Sequence, residues 1–597
     1  MKSNTTAIWL VIAAMLAAFI WFYQNHLQPA SPPPLVLVSG LRPLDVTAVD
    51  IYPDGSPALS ATLTNGDWQL EKPFAYPAQA AAIQALLDAL VKVKPVMRFS
   101  ASEMSAHKDA DAEFGFDNPQ YSIVITAGGE QWQLRVGNKT APGDGVYVRV
   151  VGLDGAFVTG TDWLQFLPHS ATDWRDTSLV TASGDVDWIT ITNGTKVIQL
   201  QRDVTNRLWR MTYPLQARAD NLAIVSALQQ LRSTHISKFV TDDPKADPSV
   251  YGLQPPDLDL RLGSGANVTA VIQAGKPATD DPAQIYARCK NTNSIVSIPG
   301  QALTPWRGTV NQFRDPHLVD LTAPVAQIEV QGENHFTLRL QGSNDWTLAG
   351  EKMPVDAELA ADFIRRLAGL RVAEFEKDVV TAKDLQDFGL APPARMDQIT
   401  LSAADTNNII AQLAFGAVDT NRDLIYVKRA DEGFVYAMTA QDLKALPQAG
   451  WELRDRRIWN FSETNVAQLT LRENHQTRVL FRTGDNAWSL APGSQGIIDP
   501  LAVEETVHRL SGLTAVGWVA NNLSDPEKFG FSTNNLSMAI DLKTGERFSL
   551  DFGLEIPRAQ TALAAVNLDG SRWTFVFPPT VYQLVAAYLT IPPPATH

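Results

Sequence analysis

The sequence predicts an α+β protein made of four homologous modules behind a single apolar N-terminal segment, each module an antiparallel set of strands with two helices. Three observations carry this prediction. A tryptophan on an apparent strand recurs at Trp68, Trp209, Trp346 and Trp488. Each is followed by an aromatic-Gly-apolar turn centred on Gly115, Gly252, Gly389 or Gly530. Residues 7–23 form an apolar run without a charge. The repeat recurs at on the order of 140 residues, beyond solenoid periods, so each copy is large enough to hold its own core.

Length agrees with this division. At roughly 100 to 200 residues per domain, 597 residues suggest three to six domains, and the repeat resolves the number to four. The hydrophobic share of 45% is that of ordinary globular protein. A net charge of −15 argues against a nucleic-acid partner, because phosphate binding by counterion release needs a basic surface. The one cysteine, Cys289, rules out an intramolecular disulfide; it falls in a single copy and reads as a packing residue rather than a nucleophile.

The run AIWLVIAAMLAAFIWFY at 7–23 would form a helix about 26 Å long, at the short end of what crosses a bilayer. It closes on Trp21, Phe22 and Tyr23, which suit the membrane–water interface. Lys2 and the α-amino group are the positive charges before Arg42, which places residues 1–6 in the cytoplasm and the bulk of the chain outside the inner membrane. A cleaved signal peptide fits less well, because Gln28 stands where the best cleavage site, Gln28-Pro29-Ala30, needs a small side chain. The expectation is therefore an uncleaved signal anchor. Residues 24–44 follow as a Pro-rich linker, with 29–34 a semi-rigid spacer.

The modules are expected over 45–180, 181–320, 321–462 and 463–597. Each opens on alternating strands such as Val186-Asp187-Trp188-Ile189-Thr190-Ile191, with turns such as Asn193-Gly194, and this meander ends at the repeated tryptophan. A helix follows, with its apolar stripe at Ile83, Leu86, Leu87 and Leu90 in the first copy. Asp220, Asp356 and Asp499 stand at its N-cap in the others, and Pro500 takes the first helical position. After the aromatic-Gly-apolar turn a second strand set carries Gly137, Gly275, Gly416 and Gly553 in step with the repeat. A strand reading Val146-Tyr147-Val148-Arg149, Ile285-Tyr286-Ala287-Arg288 or Ile425-Tyr426-Val427-Lys428 comes next, and a short helix closes the unit. The fourth copy departs from this, with Ala564-Ala565-Val566 in place of the Tyr-x-Arg/Lys element. Between modules stands a further repeat: Trp174-Arg175-Asp176, Phe313-Arg314-Asp315 and Leu453-Arg454-Asp455. Its restriction to seams implies that the arginine and aspartate set the angle between neighbours.

Taken together, the strand-borne tryptophan, the [FY]-G-[LF] turn, the [VI]-Y-[VA]-[RK] strand and the Arg-Asp junction behind one anchor resemble the bacterial family called domain of unknown function 4340. The resemblance covers about 46–589 and rests on pattern rather than on one sharp motif. It implies a membrane-anchored extracytoplasmic protein that accompanies an ABC-type permease, its ATPase and an auxiliary component similar to that of gliding motility. No catalytic residue is implied.

No stretch has the spacing of a phosphate loop, a zinc-protease helix or a nucleophile elbow. Gly263-Ser264-Gly265 sits at a hairpin position shared by the copies and reads as a turn. His107 with Asp109, Asp111 and Glu113 forms a carboxylate-rich loop, read as solvated rather than as a cation site. Arg149, Arg288 and Lys428 are possible handles for an acidic ligand, although an exposed strand whose tyrosine packs and whose base points to water explains the pattern as well. No cofactor is expected, and no enzyme. The leading expectation is a scaffold for a transport system, and the alternative is a cell-wall or glycan-binding array.

Overall fold

The computed structural model describes residues 3–26, 36–180, 184–289, 294–392, 396–404, 408–523, 525–532 and 534–590. The spacer expected over 29–34 lies outside the described residues. The chain divides into two compact units, Met1–Arg314 and Asp315–His597. Its class is α+β: four open antiparallel sheets of eight or nine strands and, among the described residues, ten α-helices. The first helix, α1 (Ser3–His26), contains an 18-residue stretch, Ala7–Gln24, of mean hydropathy 2.0 with none of it buried. It is long and apolar enough to cross a membrane, a property that anchors and signal sequences share.

The first sheet sets the pattern for all four. Its strands are β1 (Val46–Pro53), β2 (Leu59–Thr64), β3 (Asp67–Lys72), β4 (Tyr76–Pro77), β5 (Met97–Phe99), β6 (Tyr121–Ala127), β7 (Glu130–Lys139), β8 (Gly145–Val150) and β9 (Ala156–Gly160). They lie in the order β4-β3-β2-β1-β6-β7-β8-β9-β5. Two meanders thus join at their first strands, and β5, which the chain makes between them, docks on the far edge beside β9. The other three sheets repeat this order, the third and fourth without the short fourth strand. The central register is repeated as well: Val49 faces Ile125, Ile189 faces Leu262, Ile328 faces Leu401 and Leu469 faces Ile540, all fully buried.

A long helix covers each sheet: α2 (Ala80–Lys92) in the first, then Asn221–Arg232, Ala357–Ala368 and Pro500–Ser511. In α2 the residues Ile83, Leu86, Leu87 and Leu90 are buried, a spacing that puts one stripe on the sheet. Asp220, Asp356 and Asp499 accept from backbone N–H groups of the first turn and cap their helices as expected. The rest of the helical complement varies. The first module adds Ala101–Ala106 and Ala110–Glu113, whereas the second has a single 3-10 turn, Pro248–Tyr251, in the corresponding stretch. The closing helix expected in every module is α-helical in the third and fourth, Ala440–Lys444 and Pro579–Leu584, and a 3-10 turn in the first and second, Asp162–Phe166 and Gly300–Leu303.

The repeated glycines form pairs. Gly115, Gly252, Gly389 and Gly530 have φ of +79°, +71°, +67° and +76°. Gly137, Gly275, Gly416 and Gly553 sit opposite, where a Cβ would lie 2.0, 2.1, 2.2 and 2.3 Å from the carbonyl oxygen of Phe114, Tyr251, Phe388 and Phe529. The turn and the strand approach backbone to backbone, and Asn138 and Ala417 donate N–H to Phe114 and Phe388 at 2.8 Å. No side chain fits between them. This contact brings the turn's aromatic onto the repeated tyrosine: Phe114 stacks on Tyr147 at 4.3 Å, Tyr251 meets Tyr286 at 5.1 Å and Phe388 meets Tyr426 at 4.5 Å. In the fourth sheet the register assigns the tyrosine position to Leu563, one residue earlier than the sequence suggested, and Leu563 packs with Phe531 instead.

The modules begin earlier than expected. Leu37 and Val38, read as linker, are buried in the first core. Leu179 and Val180 belong to the second core, and Ile458 and Trp459 to the fourth. Leu318 and Val319 are buried in the second unit, which starts at Asp315. An apolar pair plugs each module, so the frame starts at the Arg-Asp element and not several residues after it. Replacing Gly416 by Ala should cost about 2 to 4 kcal/mol, since the backbone must part to admit a methyl group. Gly433→Ala, in open space, should cost under about 0.5 kcal/mol. Hydrogen exchange in the strand Ile409–Asp419 reads the difference.

Candidate functional site

The features that repeat without serving a module's own core lie at the seams. Each seam is a strap whose two halves bond in opposite directions. In the first unit, Trp174 O accepts from Gln79 N at 2.7 Å and Asp176 N donates to Pro77 O at 2.8 Å, which fixes the leading half on the first module. Thr177 O then accepts from Ile236 N at 2.6 Å, and Leu179 N donates to Thr234 O at 3.0 Å, just beyond the long helix of the second module. In the second unit, Leu453 O accepts from Asp356 N and Asp455 N donates to Pro354 O, both at 2.9 Å. Arg456 O accepts from Ala515 N at 2.7 Å, and Ile458 N donates to Leu513 O at 2.8 Å. At the element between them, Phe313 O accepts from Asp220 N within the first unit, and Leu318 N donates to Leu370 O within the second.

The repeated aspartate turns the strap. Asp176 accepts from Ser178 N at 2.8 Å, Asp315 from His317 N at 2.9 Å and Asp455 from Arg457 N at 2.9 Å, the two-residue hydrogen bond that lets Asp nucleate a turn. The repeated arginine reaches forward. Arg175 is 1% exposed and makes a two-pronged pair with Asp242 at 2.8 and 2.9 Å, with Ser294 as a further acceptor at 2.8 Å. Its guanidinium lies 3.5 Å from the ring centroid of Phe239, and Tyr76 and Phe74 of the first module close the other sides at 4.2 and 4.7 Å. Such a planar cation among aromatics suits Arg and not Lys. Arg454 pairs with Asp569 at 2.6 Å and lies 4.5 and 5.8 Å from the rings of Trp573 and Trp518. Trp518 also donates Nε1–H to the Arg454 carbonyl at 2.9 Å. A second fastener follows, in which Arg456 reaches back to Asp356 and Glu358 at 2.6 and 2.7 Å.

Electrostatics favour the closed seam. Burial pushes the Asp242 carboxyl up, but the hydrogen bonds from Arg175 and Ser294 outweigh it and hold the group below its usual range. Asp356 is held low in the same way, against burial, by Arg456 and the helix N-terminus.

The cationic handles are committed internally. Arg149 pairs with both oxygens of Asp111 and lies 4.4 Å from the Phe116 ring. Arg288 donates to Gln273 at 2.7 and 3.2 Å, and Gln273 donates to Asp259 at 2.8 Å. Lys428 donates to the carbonyls of Arg429 and Glu432 at 3.1 and 3.0 Å. All three are half-buried. Trp209, Trp346 and Trp488 are buried and Trp68 is half-buried, so the repeated tryptophans serve the cores. His107, Asp109 and Asp111 border an open cleft of about 680 Å³ with Arg149. Among the described residues no group of three His, Cys, Asp or Glu is placed to hold a metal ion. Cys289 is half-buried, and burial pushes its thiol up to about 11, away from nucleophilic character. Gly263-Ser264-Gly265 lies in the hairpin between the strands Leu258–Ser264 and Asn267–Pro277.

The sequence singled out Arg175 and Arg454 but not their acceptors. Asp242 directly follows its edge strand, as Asp378 does in the third module, whereas Asp569 and Trp573 lie on a hairpin of the atypical copy. The usable signal was the aromatic on the edge strand, since Phe239, Phe375 and Trp518 occupy matching register positions.

Arg175→Ala should destabilise the first two modules together by about 2 to 3 kcal/mol, with Arg175→Lys recovering less than half. Limited proteolysis across 177–183 checks this. Because the folded Asp242 titrates below its unfolded value, its contribution is present above about pH 4 and is lost as pH falls further. Cleavage there should rise on acidification in the native chain and be insensitive to pH in Asp242→Asn.

The family model described as Domain of unknown function (DUF4340) matches residues 68–207, 209–384 and 346–534. The three matches begin at Trp68, Trp209 and Trp346, and each contains one Arg-Asp element, so the family's sequence unit spans a seam. No curated protein matches the chain, and no solved structure does. With matches that reach from Trp68 to Asn534, the chain belongs to the family described as Domain of unknown function (DUF4340).

Proposed function

We propose that this protein is a non-catalytic scaffold, anchored in the inner membrane by α1 with its modules outside the cytoplasm, and that it serves an ABC-type transport system. The seam carries the reading. A chain that only needed four independent binding domains has no use for an arginine withdrawn from water at a module boundary. Burying a guanidinium is costly unless its acceptors are fixed, so the closed seam within each compact unit selects one arrangement of that unit's two modules. A fixed arrangement is what a part that positions other proteins requires.

Other observations agree. The apolar stretch Ala7–Gln24 is wholly uncovered by protein, as a bilayer segment would be. Arg149, Arg288 and Lys428 already have acceptors within the chain, which weakens the reading of them as ligand handles. Tryptophans buried in cores offer no face for sugar stacking, which weakens the reading as a glycan-binding array. The transporter partner comes from the family resemblance of the repeated motifs. Purification of the tagged full chain from detergent-solubilised membranes should bring down permease and ATPase subunits. Repeated recovery without them would remove the transporter from this reading.

A further inference from the structure

The first module differs from the others at the one place where each receives what precedes it. In the second and fourth modules an aromatic on the edge strand, Phe239 or Trp518, meets the arginine of the preceding module. The register puts Arg98 at that position in β5. Just before it, Val96 and Met97 are 79% and 54% exposed. Lys92 and Lys94 are exposed at the end of α2, and Phe166, 39% exposed, borders the same cleft of about 300 Å³. The cleft contributes one acid, Asp162. Three cations and two adjacent uncovered apolar side chains thus fall within seven residues of a chain whose net charge is −15.

What precedes this module is α1, not another module. Residues 27–35 separate them, and ten steps of fully extended chain reach at most about 35 Å. The point of attachment also matters. In the later modules the incoming strap lies against the residues just after the long helix, where Ile236 N and Ala515 N bond to it. In the first module Leu37 and Val38 enter the core that Val93, between Lys92 and Lys94 in sequence, also packs against.

We propose that the edge formed by Lys92, Lys94, Val96 and Met97 docks on the surface of an anionic phospholipid bilayer, the lysines on phosphate headgroups and Val96 and Met97 at the acyl boundary, with Arg98, which donates to the Asp154 carbonyl at 3.2 Å, adding its charge beside them. The pattern is that of a peripheral membrane contact: apolar tips inside a ring of cations, held close by a short tether. A second copy of the chain is the poorer occupant, since an incoming seam arginine would meet Arg98 where the other modules offer a ring. The inference rests on α1 being a membrane anchor.

The test uses the full chain, with Cys289→Ser, reconstituted in vesicles and labelled with an environment-sensitive fluorophore at Met97→Cys or, as the control, at Val204→Cys on an exposed site of the second module. Headgroup-bound quencher lipid should quench position 97 several-fold more than position 204 when the vesicles contain phosphatidylglycerol. The difference should shrink to near unity in pure phosphatidylcholine and in the Lys92→Glu, Lys94→Glu variant, whose exposed side chains hold nothing in place. Equal quenching at both positions in a chain that resists carbonate extraction overturns the docking surface and leaves the anchor standing. Extraction by carbonate overturns the anchor itself, and the docking surface with it. Protection of position 97 that follows protein density and ignores lipid charge assigns the edge to a second copy and overturns the lipid.

Discussion

A guanidinium with no route to water governs how this chain is assembled. Arg175 satisfies its charge only when the loop with Asp242, the strand end with Ser294 and the ring of Phe239 are all in place, and those three groups belong to the module that follows. The cost of burying the cation is recovered only in one arrangement, and that asymmetry turns a flexible connection into a fixed one. Arg454 obeys the same logic with different acceptors, a single carboxylate and two indoles. The interaction repeats, while its chemistry is adapted at each seam. Backbone hydrogen bonds on both sides of the strap hold the arginine's own Cα still, so that docking costs the side chain's rotamer entropy but little further backbone entropy.

Much of the module was legible because its signals are local. Period-two strands, the apolar stripe of α2 and the aspartates before the later helices each report a structure formed within a few residues. The glycine signal was legible too, although in two halves. In sequence Gly115 marks a turn and Gly137 a strand, and only the fold shows them to be two sides of one backbone contact. What escaped was the frame. Leu37 and Val38 follow a Pro-rich stretch and look like its tail, because nothing nearby in sequence marks the core that receives them. The family model shares this ambiguity, since its matches begin at the tryptophan, partway through the first meander.

The seam was half legible for the same reason. Arg-Asp recurs and so was seen, and its aspartate acts locally, on the N–H two residues ahead. The arginine acts on partners far along the chain, and these differ in kind between the two seams. A pattern search finds what repeats in sequence, and the acceptors of Arg175 and Arg454 lie at different places in their modules, one after an edge strand and one in a hairpin turn. The Tyr-x-Arg/Lys strand shows the opposite case. It repeats well and invites a shared external ligand, yet each copy satisfies its base in a different way inside the module.

One feature of the sheets bears on how the chain reaches this state. The central pairing joins β1 to β6, so the first meander gains its second neighbour only after the helix and β5 have been made. Until then each β1 equivalent is an apolar strand with an open side. Four such strands share the same register and the same type of side chain, Val49, Ile189, Ile328 and Leu469, and any of them fits the β6 equivalent of another copy. Strand exchange between copies is the characteristic misfolding route of such repetition. The straps then acquire a second importance during biogenesis: by pinning the first copy to the start of the second and the third to the start of the fourth, they favour orderly maturation from the amino terminus and suppress swapped, aggregation-prone isomers.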